Sequence, residues 1–251
     1  MKRLELIGLE GIGEVREGDS LGALICDACT QQKFELLDDD VLVIAQKIVS
    51  KAEGRIIRLD DVQASARAIE LAEQLDKEPA LVEVILGESR EIVRMGGRAL
   101  IVETHQGLIC ANAGVDQSNV GPRQVALLPQ DPDASARAIR NEIHRRTGKL
   151  TGVIISDSFG RPWRVGTVDV AVGVSGLKTI KDERGLADRY GYQLKAAVAA
   201  IADEMAAAAE LVMGKRDGVP AVVVRGCEIE REEGSVKELL RPEAEDLFRH
   251  F

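Results

Sequence analysis

The run Val41-Leu-Val-Ile-Ala45 constrains the fold of this chain more than any other feature. A continuous apolar run of this length is typical of a strand that is buried on both faces of a sheet. It leads directly into Gln46-Lys-Ile-Val-Ser-Lys51. In α/β proteins ligands gather beyond the carboxyl ends of strands, so Lys47 and Lys51 are candidates for binding a polyphosphate. The alternative is that the two lysines form a solvated pair one helical turn apart.

Strand-like and helix-like segments follow one another along the chain without repeats or flexible linkers. Their mixture predicts an α+β fold, or an irregular α/β fold, of mixed sheets with flanking helices. We expect residues 1–251 to form a single catalytic unit, or two closely joined lobes. Apolar periodicity, turn residues and caps predict strands at 4–9, 91–93, 99–103, 107–111, 151–157, 167–174 and 221–224, and helices at 20–31, 131–147 and 193–213, with two more between 61 and 88.

Charge and composition limit the partners that the chain can have. The net charge of −9 argues against a general nucleic-acid-binding protein, because such a protein needs a basic face. No apolar run approaches about twenty residues, so the sequence predicts no membrane span. The first residues lack the apolar core of a signal peptide, and we expect a cytoplasmic protein. Cys26 and Cys29 have a spacing used by zinc and redox sites, but no second pair follows them, so we interpret them as ordinary thiols.

Two polar motifs indicate where the chemistry lies: Asn112-Ala-Gly-Val-Asp-Gln-Ser-Asn119 and Asp157-Ser-Phe-Gly-Arg-Pro-Trp-Arg164. Each places one carboxylate among small residues where an apolar run gives way to a turn, which suits a hard divalent cation. Arg161 and Arg164 add guanidinium groups that can clamp phosphate or carboxylate. No P-loop, kinase or G-x-S-x-G motif occurs, so the motifs predict a metal–phosphate site. The alternative is that both aspartates are turn or cap residues.

Four segments together resemble the coenzyme F420-0:L-glutamate ligase family, whose members are also called F420:γ-glutamyl ligases. The resemblance covers nearly the whole chain, from the glycine loop at 8–13 to the predicted strand at 221–224. It implies a GTP- and metal-dependent ligase of unusual fold that works as an intertwined homodimer in the cytoplasm. The matching segments follow the family's order at similar spacing and are residues 46–55, 112–119, 157–164 and 218–226.

The resemblance also implies the reaction and its partners. Such enzymes join L-glutamate to coenzyme F420-0 through an amide bond and then add γ-linked glutamates. GTP, the co-substrate, would phosphorylate the substrate carboxylate to an acyl phosphate. The amine of L-glutamate then displaces phosphate, and GDP and phosphate are released. The implied metal is Mg²⁺ or Mn²⁺, and K⁺ is a further candidate ion. No nucleic-acid or membrane partner is expected.

Site residues carry over from the resemblance one by one. Asp116 and Asp157 would hold one metal, and Ser158 would approach a second. With Lys51 and Arg161, the two aspartates form the predicted catalytic set. The predicted nucleotide contacts are Glu10, Gly11, Ile12, Gly13, Gln46, Lys47, Lys51, Asn119, Gly214 and Lys215.

The chain departs from the resemblance after Met213-Gly214, where archaeal relatives tend to carry an acid that completes the second metal site. Here Lys215 follows, so either Asp217 replaces that acid or Lys215 contacts phosphate directly. Bacterial forms are often fused to a C-terminal flavin-binding reductase domain, and none is expected in a chain that stops at Phe251. Two alternatives stay open: an enzyme that uses the same architecture on another carboxylate, and a nucleotide-binding regulator without turnover.

Overall fold

The computed structural model describes residues 2–249, and within that range the chain forms twelve β-strands and six α-helices. The strands are β1 (Glu5–Gly8), β2 (Val41–Ala45), β3 (Ile56–Arg58), β4 (Ser89–Gly96), β5 (Ala99–Thr104), β6 (Ile109–Ala111), β7 (Gln124–Ala126), β8 (Gly152–Arg161), β9 (Arg164–Ser175), β10 (Lys181–Asp182), β11 (Val198–Ala199) and β12 (Ala221–Arg225). The helices are α1 (Leu21–Gln31), α2 (Gln46–Ala52), α3 (Ala66–Leu75), α4 (Pro79–Gly87), α5 (Pro132–Thr147) and α6 (Ile201–Met213).

The apolar strand β2 lies at the centre of a five-stranded sheet of order β1-β12-β2-β8-β9. β2 and β8 run parallel, and the other neighbours are antiparallel. Leu42 and Ile44 pack on the face covered by α1 and α5, whereas Val41 and Val43 pack on the face covered by α6. All four side chains are fully buried. The prediction of a strand buried on both faces is confirmed.

Capping residues begin the two helices on the first face where the sequence predicts them. The Ser20 hydroxyl accepts a hydrogen bond from the backbone N–H of Ala23 at the start of α1. The Asp131 carboxylate accepts one from the N–H of Ala134 at the start of α5, 3.0 Å away. Cys26 and Cys29 are buried in α1, and burial raises the pKa of Cys29 to about 11, as expected of ordinary thiols.

A second, smaller core forms beside the central sheet. Here α3 and α4 pack through Leu71, Leu75 and Ile85 against Leu100 and Val102 of the antiparallel sheet β4-β5-β6. The predicted strands at 99–103 and 107–111 are present as β5 and β6, and His105 lies in the turn between them. The short antiparallel pair β3-β7 is a separate two-stranded sheet. The four sheets and their flanking helices confirm the predicted α+β fold.

Two predicted boundaries are wrong by four residues or more. The helix predicted at 193–213 begins only at Ile201, because the preceding residues pair with the segment around β10. For example, the N–H of Glu183 donates to the carbonyl of Ala197. This tertiary pairing overrides the helix propensity of the alanine-rich stretch. The strand predicted to end at Asp157 continues to Arg161, because β8 and β9 form one long hairpin.

Helix length also bears on membranes. Among residues 2–249, no helix combines the length and apolarity that crossing a bilayer requires.

Candidate active site

A cavity of about 1320 Å³ opens at the carboxyl ends of the parallel strands β2 and β8. Ala45 and Ser156 are paired at this edge, so the residues that follow each strand meet there. One side of the cavity is formed by Asp157 and Ser158 of β8 with Asp169 of β9, which we call the strand wall. Asp116, Ser118 and Asn119, in the loop after β6, also line the cavity, and we call them the loop wall.

Asp116 of the loop wall is already paired with a cation. Its Oδ2 lies 2.7 Å from Lys47 Nζ, and its Oδ1 accepts a 2.7 Å hydrogen bond from the N–H of Ser118. Its backbone exchanges two hydrogen bonds with Ala126 of β7, which fixes the turn. Burial acts to raise the pKa of Asp116, but Lys47 and the donors of Ser118 outweigh it and lower that pKa below its ordinary value.

Asp157 of the strand wall is in the opposite state. Burial is the main cause that raises the pKa of its carboxyl to about 7, and the nearby carboxylates of Asp116 and Asp169 raise it further. The backbone N–H of Ser158 and the ammonium of Lys215 act in the other direction. A carboxylate with this pKa is poorly compensated for its negative charge, and a bound cation would relieve that imbalance.

The two lysines of α2 contribute cations from a third direction. Lys47 and Lys51 are one turn apart, and each side chain is only 15% exposed. Lys51 Nζ lies 2.5 Å from Oε1 of Glu14, in the loop after β1. Both lysines line the cavity, so the alternative of a solvated pair is wrong. Gln46, the first residue of α2, is buried in the same lining, and its Nε2 donor has no partner within residues 2–249.

Most of the predicted site residues meet in this cavity. Ile12, Gly13, Gln46, Lys47, Lys51, Asp116, Asn119, Asp157, Ser158, Gly214 and Lys215 all line it. Glu10 and Gly11 precede the lining residues and are exposed. Arg161 lies outside the lining, at the exposed end of the β8–β9 hairpin, where its Nη2 donates to the carbonyl of Val165.

The sequence reasoning missed Asp169. Its signal was a single acid in the apolar strand Thr167-Val-Asp-Val-Ala-Val172, which we interpreted as an ordinary strand. The structure shows it buried and lining the cavity, with hydrogen bonds from Ser156 and Ser158. Glu14, Arg16, Glu210 and Arg216 also line the cavity and were not predicted.

The donor set fits a hard divalent cation that shares its coordination with a ligand. Asp116, Asp157 and Ser158 offer carboxylate and hydroxyl oxygens, which Mg²⁺ and Mn²⁺ prefer. Among residues 2–249 no group of three or more His, Cys, Asp or Glu side chains could hold a metal by itself. Mg²⁺ in phosphate-binding sites commonly uses only one or two carboxylates, with phosphate oxygens and water completing the shell. The cavity can therefore hold a metal–phosphate complex rather than a metal alone.

Comparisons with known proteins point to one family. The sequence model of the family described as F420-0:Gamma-glutamyl ligase matches residues 11–226. The chain is 50% identical over 249 residues to the "Coenzyme F420:L-glutamate ligase" of Methanothermobacter thermautotrophicus, covering 98% of this chain and 99% of that protein. It is 44% identical over 251 residues to the protein of the same name from Methanocaldococcus jannaschii, covering 99% and 98%. A third, from Archaeoglobus fulgidus, is 44% identical over 248 residues, covering 98% and 97%.

These matches confirm the resemblance that the four sequence segments predicted. Each match extends over almost the entire length of this chain and of the relative. The matched residues therefore include both walls of the cavity and the lysines of α2. The chain belongs to the F420-0:Gamma-glutamyl ligase family.

Proposed function

We propose that this protein is a GTP- and divalent-metal-dependent ligase that adds L-glutamate to coenzyme F420-0 in coenzyme F420 biosynthesis. The observation that carries the proposal is the cavity itself. It joins Asp116 and Asp157 to the lysines Lys47, Lys51 and Lys215 in a chain of this family. Two carboxylates suit a metal, and lysines from two different elements suit the phosphates of a nucleotide.

In this proposal Mg²⁺ or Mn²⁺ is held by Asp116 and Asp157, with Ser158 nearby. The metal would neutralise charge on the phosphate oxygens. Support comes from the pKa of Asp157, which burial raises to about 7 and which a cation would lower again. Lys47 lines the cavity and would exchange Asp116 for a phosphate oxygen as the metal binds.

The nucleotide would bind through α2 and the loops around it. Gln46 has an unpaired buried donor that suits an acceptor oxygen. Lys47, Lys51 and Lys215 supply ammonium groups. Asn119 already links the loop wall to the loop after α6, because its Nδ2 lies 3.3 Å from the carbonyl of Lys215. The loop at residues 10–13 would approach from the end of β1, with Ile12 and Gly13 in the lining.

The chemistry proposed for this cavity proceeds in two displacements. An oxygen of the F420-0 carboxylate forms a bond to the γ-phosphorus of GTP, the bond to the bridging oxygen breaks, and GDP leaves. The amine nitrogen of L-glutamate then attacks the carbonyl carbon, phosphate leaves with the bonding electrons, and the nitrogen loses a proton. In later cycles the γ-carboxylate of the attached glutamate takes the place of the first carboxylate. The lysines stabilise the charge on the transferred group by electrostatic positioning.

A homodimer in the cytoplasm completes the proposal. Trp163 and Val165, where β8 turns into β9, are 80% and 99% exposed. Tyr190, between β10 and β11, is 79% exposed. Exposed apolar side chains of this size can form a surface that another chain covers. All four cysteines are free, which fits a reducing compartment. Arg161, in the same hairpin, stays a predicted catalytic residue without a contact to the cavity of its own chain.

Mass spectrometry of F420-0 incubated with the protein, L-glutamate, GTP and Mn²⁺ or Mg²⁺, with and without K⁺, tests the proposal. We expect a product heavier by one or more glutamyl residues that requires both GTP and the metal. Hydrolysis of GTP without a mass change would point instead to another carboxylate acceptor. Bound GTP that is neither hydrolysed nor used would contradict an enzymatic function.

A further inference from the structure

Asp169 is the buried carboxylate of the strand wall, and no step proposed above uses it. Its side chain lines the cavity although the residue is only 5% exposed. It lies directly opposite Ser158 in the register of β8 and β9. A buried carboxylate is costly unless other groups compensate its charge, so its partners indicate its role.

Two serine hydroxyls donate to this carboxylate. Ser156 Oγ lies 3.0 Å from Oδ2, and Ser158 Oγ lies 2.5 Å from Oδ1. A carboxylate accepts hydrogen bonds and donates none, whereas a serine hydroxyl has one hydrogen to donate. Ser158 therefore uses its only hydrogen on Asp169. The lone pairs of its oxygen are left for a donor or a cation on the cavity side.

Lys215 is the donor that takes up this position in the free protein. Its Nζ donates to Ser158 Oγ and lies 3.8 Å from Oδ1 of Asp169. The lysine side chain is 59% exposed and belongs to the loop after α6, so it can turn towards a new anion without leaving the cavity. Asp169, which is almost fully buried, attracts the ammonium and keeps it near the strand wall.

We propose that Asp169 is a positioning residue of this site. It orients the Ser158 hydroxyl as an oxygen ligand for the divalent cation, and it holds the Lys215 ammonium where a phosphate oxygen can accept from it. This inference rests on the proposed function, since it assigns Asp169 to the same metal–phosphate complex. Outer-sphere carboxylates that orient metal ligands have this effect in other proteins.

Asp169→Asn tests the role with little change of shape. The new amide nitrogen donates, so one of the two serine hydroxyls must turn round, and the negative charge that attracts Lys215 is lost. We expect the affinity for Mn²⁺ in the presence of GTP to fall about tenfold or more, in the range typical of outer-sphere partners. The affinity is measured from the electron paramagnetic resonance signal of free Mn²⁺. Ser158→Ala should reproduce the loss.

Two control variants separate positioning from a general loss of structure. Asp133→Asn alters another partly buried carboxylate, which accepts from the N–H of Val174 in β9 but lies outside the cavity. We expect its Mn²⁺ affinity to stay within about twofold of wild type. Ser156→Ala removes the other donor to Asp169 and should cost less than Ser158→Ala. Should Asp169→Asn fail to fold, Ser158→Thr replaces it: Thr keeps the hydroxyl and should retain the affinity that Ser158→Ala loses.

The inference is overturned if Asp169→Asn binds Mn²⁺ as wild type does, if Asp133→Asn loses as much, or if Ser158→Ala and Ser158→Thr bind equally. Its failure is distinguishable from that of the proposed function. Wild-type protein that binds Mn²⁺ with GTP, loses it in Asp169→Asn and yet forms no glutamyl product would support the inference and contradict the function. A glutamyl product with unchanged Mn²⁺ binding in Asp169→Asn would do the reverse. Wild-type protein that binds no Mn²⁺ with GTP would overturn both.

Discussion

Asp157 and Asp116 line the same cavity, but one belongs to the strand wall and the other to the loop wall. Asp157 is carried by β8 in a sheet whose two faces are covered, and burial there raises its pKa to about 7. Asp116 is carried by a turn, and Lys47 and Ser118 lower its pKa against the opposing effect of burial. The two carboxyl groups are chemically identical, but their surroundings shift their pKa values in opposite directions.

This difference indicates how the site is assembled. In the strand wall the negative charge of Asp157 is poorly compensated, which favours a cation. The loop wall holds a carboxylate and a lysine that are already paired, and each can change partner when a metal and a phosphate arrive together. Binding of metal and nucleotide should therefore be cooperative, because the metal takes Asp116 while the phosphate takes Lys47. Substitutions in the two walls should therefore have different effects.

The largest expected effect is on ligation. Asp157→Asn and Asp116→Asn should each lower the rate of glutamyl transfer by ~10³-fold, because each removes a carboxylate that holds the metal against the phosphates. The rate is measured by mass spectrometry of the product. Asp76 is an exposed carboxylate outside the cavity, at the C-terminal end of α3, where its backbone is left-handed. The rate of Asp76→Asn, the matched control, should remain near that of wild type. Near-normal turnover in either cavity variant would show that the substituted carboxylate does not hold the metal.

The second effect is the pH dependence of stability without metal. The pKa of Asp157 is raised to about 7 in the folded protein, so the folded state binds this proton more tightly than the unfolded state. Ionisation thus opposes folding, and its cost appears as pH rises from about 4 to about 7 and is constant above. Across that interval Asp157→Asn should gain stability relative to wild type. The gain should be a few kcal/mol, because each unit of pKa difference corresponds to ~1.4 kcal/mol. Denaturant unfolding in EDTA measures it, and parallel curves for the two proteins would contradict the raised pKa.

A third, smaller effect tests the exchange on the loop wall. In Lys47→Gln the competitor for Asp116 is gone, so Mn²⁺ should bind more tightly in the absence of nucleotide. GTP should bind roughly tenfold more weakly, corresponding to ~1.4 kcal/mol, because a cation near its phosphates is lost. Calorimetric titration measures both affinities. Lys149→Gln, which breaks an ion pair with Glu35 outside the cavity, is the control. A loss of Mn²⁺ affinity in Lys47→Gln would contradict the exchange.

The smallest effect is the stability change in Asp116→Asn. Its pKa is lowered in the folded protein, so the group contributes stability at neutral pH that is lost as pH falls through the folded pKa. The pair with Lys47 is partly exposed, and such pairs contribute at most about 1 kcal/mol. At neutral pH Asp116→Asn should therefore be slightly less stable than wild type, opposite in sign to Asp157→Asn. Stability changes of the same sign in both variants would show that the walls do not differ.

The sequence was sufficient to predict the elements that depend on local patterns. Local residue types predict the buried strand at 41–45, the capping acid Asp131 and the placement of Lys47 beyond a strand end. Asp157 ends an apolar run at the carboxyl edge of the central sheet, and Asp116, in the loop after β6, lines the same cavity as the sequence predicts.

The remaining features depend on long-range pairing that local patterns do not encode. Asp169 alternates with valines, which is typical of a solvent-facing position in a half-buried strand. It is buried in the structure, and Ser156 and Ser158 of β8 compensate its charge by supplying hydrogen-bond donors. The extended segment before Ile201 likewise depends on pairing with β10. The alanines of that segment favour a helix, so the local sequence does not predict this pairing. Arg161 was predicted as a site residue from its motif. In the structure it lies at the far end of the long β8–β9 hairpin, outside the cavity lining.

Transfer of ¹⁸O from F420-0 to phosphate tests the central claim most directly. F420-0 labelled with ¹⁸O in its carboxylate is incubated with the protein, L-glutamate, GTP and Mg²⁺, and the released phosphate is examined by ³¹P NMR. If the cavity activates the carboxylate as an acyl phosphate, each phosphate released during the first amide bond carries one ¹⁸O atom. Formation of the amide with unlabelled phosphate would contradict the account.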